Sequence, residues 1–308
     1  MNTFPRLALI ISWALLPSLA LSHDLRGLRR ASQHVDAATQ AEKDYAFAML
    51  RQNIESKPHA EMHALAQIDA HTFGFTFPLD AWNRGTQLKV CFFPDPKLKA
   101  FDKARGIVLN LYDEILKYTT LSATDIGLCA SNPADIRVRF ANKDGDWSVV
   151  GKIEAQKIKA KEPTMGLDSL AKEGHRLTKG DATPDTLGLV RHEILHSLGF
   201  QHEHQRPDVD CKFKSAKSIA KLLSWTVADV KDNFDRIDPK SVCKGPLAQC
   251  SFLTRFDPES VMLYQLEADY FRDGKKSPCF IAKQNNELSD LDIKTLEALY
   301  PREGAQPQ

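Results

Sequence analysis

Residues Arg191 to Asp208 read RHEILHSLGFQHEHQRPD, four histidines and two glutamates around one glycine. No other stretch limits so strongly what this chain can fold into. On a helix, residues four apart share a face, so His192 and His196 stack one turn apart and can grip one metal ion with two imidazoles. Glu193 is rotated by about 100° from His192 and is placed to reach a water on that ion rather than the ion itself. This is the mechanical sense of a His-Glu-x-x-His helix. Gly199 can take the left-handed conformation that ends a helix, after which the chain turns and His202 can swing back to the same ion. Three imidazoles with a fourth position open are the pattern of catalytic rather than structural zinc, although copper, cobalt or nickel accept the same donors. The shorter motif arises by chance on charged helices; the extended register through Gly199 and His202 is much rarer. His204 lies beyond the completed set and reads as a supporting or surface residue.

The N-terminus, MNTFPRLALIISWALLPSLALSHD, has a positive Arg6, an apolar run from Leu7 to Leu16 and a small-x-small site at Ala20-Leu21-Ser22. It reads as a signal peptide over residues 1–22, the apolar run being short for a membrane span. The chain is therefore expected to be secreted or extracytoplasmic, with no stable membrane association. Six cysteines (Cys91, Cys129, Cys211, Cys243, Cys250 and Cys279) are an even number in an exported chain and suggest disulfides. Six allow 15 pairings, and sequence does not choose among them. Cys243 and Cys250 flank a short loop they could close. Lys+Arg of 41 against Asp+Glu of 40 gives no sign of a nucleic-acid partner.

Residues 23–75 are polar and free of cysteine and read as a pro-segment or N-terminal extension. Leu88 to Phe93 reads as a strand ended by Pro94 and Pro96. Phe101 to Tyr118 reads as an amphipathic helix with Phe101, Ala104, Val108, Leu111, Tyr112, Ile115 and Leu116 on one face. Asp135 to Ala141 alternates, with Ile136, Val138 and Phe140 facing one way and Arg137 and Arg139 the other. That reads as a half-buried strand with a possible exposed edge. Asp144-Gly145 marks a turn before a strand at Trp147 to Val150. Lys152 to Pro184 is loop-rich. Leu187 to Leu198 reads as a helix, and residues 209–255 as a cysteine-bearing insertion with one helix, Thr226 to Asp235. Ser289 with Asp292 is a capping box for a helix continued by Ile293, Leu296 and Leu299 and stopped at Pro301. Residues 304–308 read as a disordered tail.

His192 to Asp208 resembles the zinc signature of the astacin family of metzincin peptidases, His-Glu-x-x-His-x-x-Gly-Phe-x-His-Glu-x-x-Arg-x-Asp, at every fixed position. Ser260-Val261-Met262-Leu263-Tyr264 resembles the family's Met-turn, Ser-x-Met-x-Tyr. Looser echoes at Trp82-Asn83-Arg84-Gly85, Trp147 to Gly151 and Leu288-Ser289 to Tyr300 extend the similarity over roughly residues 80–301. The resemblance implies an α+β fold in two subdomains: a twisted mixed sheet with an edge strand above the cleft, an active-site helix, and an irregular C-terminal subdomain ending in a helix. It implies a peptidase domain over residues 76–303. The resemblance implies one zinc on His192, His196 and His202, Met262 as the base beneath it, and Tyr264 as a transition-state donor. Glu203 would meet the N-terminus released on activation. Two departures stand out: Leu263 replaces the histidine common between Met and Tyr, and no clear Phe-x-Gly-Asp segment precedes the domain.

The expected function is a secreted, monomeric zinc endopeptidase acting on proteins or peptides. Zinc acidifies water and polarises the scissile carbonyl, Glu193 serves as general base, and zinc with Tyr264 stabilises the oxyanion. Arg137, Val138 and Arg139 form the strand on which substrate would pair. The alternatives are a matrixin-like metzincin, against which Glu203, Arg206 and Tyr264 speak, and a catalytically silent zinc-stabilised binding protein, for which Glu193 has no use. A hydrolase with Cys91 or Cys129 as nucleophile has no local support.

Overall fold

In strand β1, Gln87–Phe92, every residue from Val90 to Phe92 is buried, together with Leu88. Such burial on both faces is characteristic of a strand inside a parallel sheet. β1 pairs in parallel with β2, Ser122–Leu128, on one side and with β3, Ile136–Phe140, on the other. β3 in turn pairs in parallel with β5, Met165–Leu167, and β4, Trp147–Ser148, closes that side antiparallel to β5. The order is β2-β1-β3-β5-β4. The computed structural model that shows this describes residues 75–76, 80–129, 133–141, 145–238 and 255–302. The expected signal peptide, residues 23–74 of the extension, Asp144 of the expected turn, Cys243, Cys250 and the tail all lie outside the described residues.

Helix α1, Phe101–Leu116, buries the apolar face expected for it, Phe101 remaining partly exposed. It packs against β2 and against α5, Pro184–Ser197, which also lies on β4 and β5. The segment Lys152 to Pro184, expected to be loop-rich, holds most of α2 (Gly151–Lys157), the three-residue β5, α3 (Asp168–Lys172) and α4 (Gly174–Leu177). These elements are too short to show a period. β2 carries no strand period in the sequence either: its residues are exposed or only partly buried, so apolar alternation is absent.

The expected edge strand at Arg137, Val138 and Arg139 is corrected by this topology. β3 lies between β1 and β5, with both edges hydrogen-bonded. The outward arginines do not mean water. Arg137 is 6% exposed, and its guanidinium donates to the carbonyls of Glu162 (2.7 Å), Ala134 (2.9 Å) and Ile158 (3.1 Å). Arg139 lies 4.5 Å over the Phe93 ring. A charged side chain satisfied by loop carbonyls alternates in sequence just as a solvated one does. Among the described residues, the sheet edge beside α5 is β4.

A second apolar cluster follows the sheet lobe. It joins α6, Ala216–Leu223, and α7, Val227–Phe234, to Cys211, Phe271 and Cys279. The expected helix at Thr226 to Asp235 is α7, opened by a Thr226–Asp229 capping box; α6, capped by Ser215, is additional. Disulfides Cys91–Cys129 and Cys211–Cys279 tie one lobe each. The C-terminal helix α8, Asp290–Leu299, starts at the Ser289–Asp292 capping box and returns Leu296 and Tyr300 to the first core. The chain changes core between Met262 and Leu263. No helix among the described residues is long and apolar enough to cross a membrane.

Candidate metal centre

Helix α5 begins at Thr183, whose hydroxyl accepts from Thr186 N–H, with Pro184 in its first turn; proline costs nothing there because its missing N–H has no helical partner. Its apolar stripe holds Val190, Ile194 and Leu195 in the core. The helix stops at Leu198 because Gly199 adopts φ 99°, a conformation that strains residues with a Cβ. The last carbonyls, which a helix leaves unsatisfied, are taken up from elsewhere. Trp82 Nε1 donates to Ser197 O (2.8 Å), Tyr300 Oη to Leu198 O (2.7 Å) and Thr76 Oγ1 to Gly199 O (2.8 Å). Gln201 N–H donates to Phe75 O at 2.9 Å. Four contacts from three distant segments thus hold the turn that brings His202 back. Phe75, placed in the extension from sequence, is 1% exposed and belongs physically to this turn.

His192, His196 and His202 each offer one ring nitrogen, and these lie within 4.8 Å of one another. Their tautomers are dictated by what the other nitrogen faces. His192 Nδ1 lies 2.8 Å from Val261 O and His196 Nδ1 2.8 Å from Phe200 O. A carbonyl can only accept, so both Nδ1 atoms carry hydrogen and both Nε2 atoms present lone pairs. His202 Nδ1 lies 2.8 Å from Gln205 Oε1, with the same consequence. His196 Nε2 and His202 Nε2 are then 3.0 Å apart with no hydrogen between them. Burial lowers His196 to about 4. Burial, followed by the neighbouring imidazoles, lowers His202 well below the usual range. Neither protonates near neutrality to relieve the contact. A cation shared by the lone pairs does relieve it, so the residues present fit a metal ion.

Glu193 is 1% exposed, and its Oε2 has no hydrogen-bond partner among the described residues. Burial raises its carboxyl well above the usual range; the charge of Asp146 raises it further, and the Ser148 N–H on β4 opposes both. A buried carboxyl with one open oxygen is suited to taking and returning a proton. The Tyr264 hydroxyl lies 2.8 Å from His202 Nε2, and its ring lies 4.7 Å from that of His192. Since Nε2 carries no hydrogen, Tyr264 donates. Burial raises its pKa well above 10, so the hydroxyl keeps that hydrogen.

The turn at Met262 is sewn to the ligands through its backbone. Val261 O orients His192, and Met262 O accepts from Glu203 N–H at 3.1 Å. Asp292 accepts from Ser260 Oγ (2.7 Å), Val261 N–H (3.0 Å) and Ser289 N–H (3.0 Å). The capping box of α8 was legible in sequence; its second duty under the Met262 turn was not. Glu203 accepts from Arg206 (3.2 Å) and from Asp257 N–H (2.9 Å), while Asp208 takes Arg206 through two oxygens at 3.0 Å. Burial pushes Glu203 up to about 8 against the pull of Arg206. His204, read as supporting or surface, is 1% exposed and stacks on His202 with centroids 5.0 Å apart. Gln205 and Asp146 carried no motif that could have revealed them.

Residues 171–301 match the family model described as Astacin, a family of peptidases. The chain is 30% identical over 120 residues to the low choriolytic enzyme of Oryzias latipes, which covers 36% of this chain and 37% of that protein. It is 29% identical over 129 residues to zinc metalloproteinase nas-14 of Caenorhabditis elegans, covering 37% of this chain and 21% of the other. The match thus spans 37% of the length of the first relative and 21% of the second. In fold, the chain resembles the solved structure of myroilysin, with TM-score 0.57 at 23% identity over 74% of this chain and 99% of that one. His192, His196 and His202, which lie within the matched segment, form a group that could hold one metal ion.

Proposed function

We propose that this chain, whose residues 171–301 match the astacin family model, is a secreted zinc-dependent endopeptidase in which Glu193 is the general base and Tyr264 the oxyanion donor. The observation that carries this reading is the convergence of three imidazole lone pairs, two of them from the helix that also carries a buried carboxyl oxygen left unpartnered among the described residues. Zinc, held by His192, His196 and His202, supplies Lewis acidity to a water and to the scissile carbonyl. Glu193 Oε2 accepts the proton of the attacking water and returns it to the leaving amine. Tyr264, its hydroxyl kept protonated by burial, donates to the developing oxyanion. The substrate backbone runs along β4, which borders Glu193 through Ser148, rather than along β3. Residues 1–22 direct export, in keeping with the two disulfides, and residues 23–74 form an extension ahead of the peptidase domain.

The test compares the wild-type chain with Glu193→Ala for bound zinc and for turnover of casein or gelatin. Full zinc with turnover reduced by roughly 10²-fold or more is expected of a lost general base. Wild-type protein that holds one zinc yet cleaves nothing in a peptide library, before or after removal of the extension, would instead make this a zinc-stabilised binding protein. Mass spectrometry of the exported chain's N-terminus checks the signal-peptide and extension boundaries.

A further inference from the structure

Two of the three histidines direct Nδ1 at main-chain carbonyls, which are present whatever residue occupies positions 261 and 200. His202 differs. Its Nδ1 meets a side chain, Gln205 Oε1, at 2.8 Å. The other end of that amide is fixed as well: Gln205 Nε2 donates to Asp232 O at 2.9 Å and Asp235 O at 3.3 Å. Both acceptors lie at the C-terminal end of α7, where carbonyls lack helical partners. Because only the amide nitrogen can donate to them, the oxygen must face His202. Ile237 N–H donates to Gln205 O at 2.8 Å, and His204 Nε2 lies 2.9 Å from Asn233 O. Residues 204 and 205 are thus clasped by the last turn of α7. Gln205 is 4% exposed, so water does not compete for these bonds.

We infer that Gln205 is the positioning residue of His202: its amide transmits the placement of the last turn of α7 to the third zinc ligand, fixing the ring's orientation with Nε2 toward the ion. Zinc affinity and the folding of α7 are then linked, and such coupling is reciprocal. The inference rests on the proposal that the three histidines hold zinc.

Two substitutions in the full-length chain separate positioning from packing. Gln205→Leu keeps the volume and removes the acceptor. Gln205→Glu keeps an acceptor for His202 but loses both donors to α7. Zinc affinity is measured by competition with a chromophoric chelator, the visible spectrum of the cobalt(II)-substituted protein reports ligand geometry, and thermal melting of the zinc-free protein reports fold. Partners of metal-bound histidine are typically worth 10–100-fold in affinity, so Gln205→Leu is expected to weaken zinc by roughly that factor and to shift the cobalt spectrum. Gln205→Glu is expected to melt lower and to bind zinc less tightly than wild type, because the link to α7 is cut, but more tightly than Gln205→Leu, because the acceptor for His202 is kept. Zinc binding by Gln205→Leu equal to wild type, or by Gln205→Glu as weak as by Gln205→Leu, overturns the assignment. If both variants fail to fold, Thr226→Ala, which removes the distant N-cap of α7, serves instead. A weakening of up to about fivefold is expected from a lost cap, and unchanged affinity overturns the link. Wild-type protein that binds no zinc would defeat the metal reading itself, a result distinct from any of these.

Discussion

The two lobes hold one site by different means. The sheet lobe delivers His192, Glu193 and His196 from a single helix of 14 residues. Their mutual placement follows from backbone periodicity, and α5 is fixed by apolar packing on the sheet and on α1. The second lobe delivers His202 and Tyr264 from irregular chain. There each position depends on individual side-chain contacts: Gln205 for His202, Arg206 for Glu203, Asp292 for the Met262 turn and Cys211–Cys279 for the whole. Regular structure carries geometry redundantly, whereas irregular chain needs a dedicated partner at each point. The second lobe should therefore lose function before it loses fold.

The strongest challenge to that contrast is ligand removal. His196→Ala and His202→Ala should each abolish zinc retention on dialysis and reduce kcat/KM by roughly 10³-fold or more, since a catalytic metal supplies several kcal/mol. If only the helical ligand mattered, the second lobe would be dispensable to the site. Next come the disulfides. Replacing either pair by serine should cost roughly 2–5 kcal/mol of stability. Only loss of Cys211–Cys279 should also weaken zinc and slow turnover, because that bridge lies in the lobe that has no sheet among the described residues. Equal functional loss without Cys91–Cys129 would erase the distinction. Tyr264→Phe probes one contact of the second lobe: kcat should fall by about 10²-fold, as for loss of an oxyanion donor, with KM and zinc content unchanged.

The smallest effect concerns Asp80, on the strap that packs against Gly199. Burial, then the charge of Glu154, raises its carboxyl from 3.8 to about 7, with Lys157 opposing. The fold therefore holds a proton that the unfolded chain gives up near pH 4. The stability Asp80 confers is present below that pH and is lost as pH rises through about 7. Asp80→Asn stays neutral throughout. Its Tm advantage over wild type should grow from pH 4 to pH 7, reach a few degrees, and level off above. An advantage independent of pH would show that Asp80 is not held protonated in the fold.

Much of the first lobe was legible in order. β1, α1, α5 and α8 carry the periods and caps that define them, and the three ligands with Glu193 follow from the spacing in one helix and one glycine. The short elements between Lys152 and Pro184 were not legible, because three to seven residues hold too few positions for a period to emerge. β3 was legible as a strand but not as an interior one, since Arg137 alternates with apolar residues whether water or loop carbonyls satisfy it. His204 looked peripheral because sequence gives no sign that α7 closes over it.

Sequence by itself determined which groups meet the metal, since helical spacing and a left-handed glycine are local consequences of residue identity. Tertiary structure decided what holds those groups in place: which carbonyl orients each imidazole, which amide steadies His202, which strand borders Glu193, and which carboxylate supports the Met262 turn. Those partners lie from 3 to 69 residues away along the chain. Even where the partner is three or four residues away, its geometry is fixed by distant chain; these bonds exist only once both cores have packed and excluded water from them.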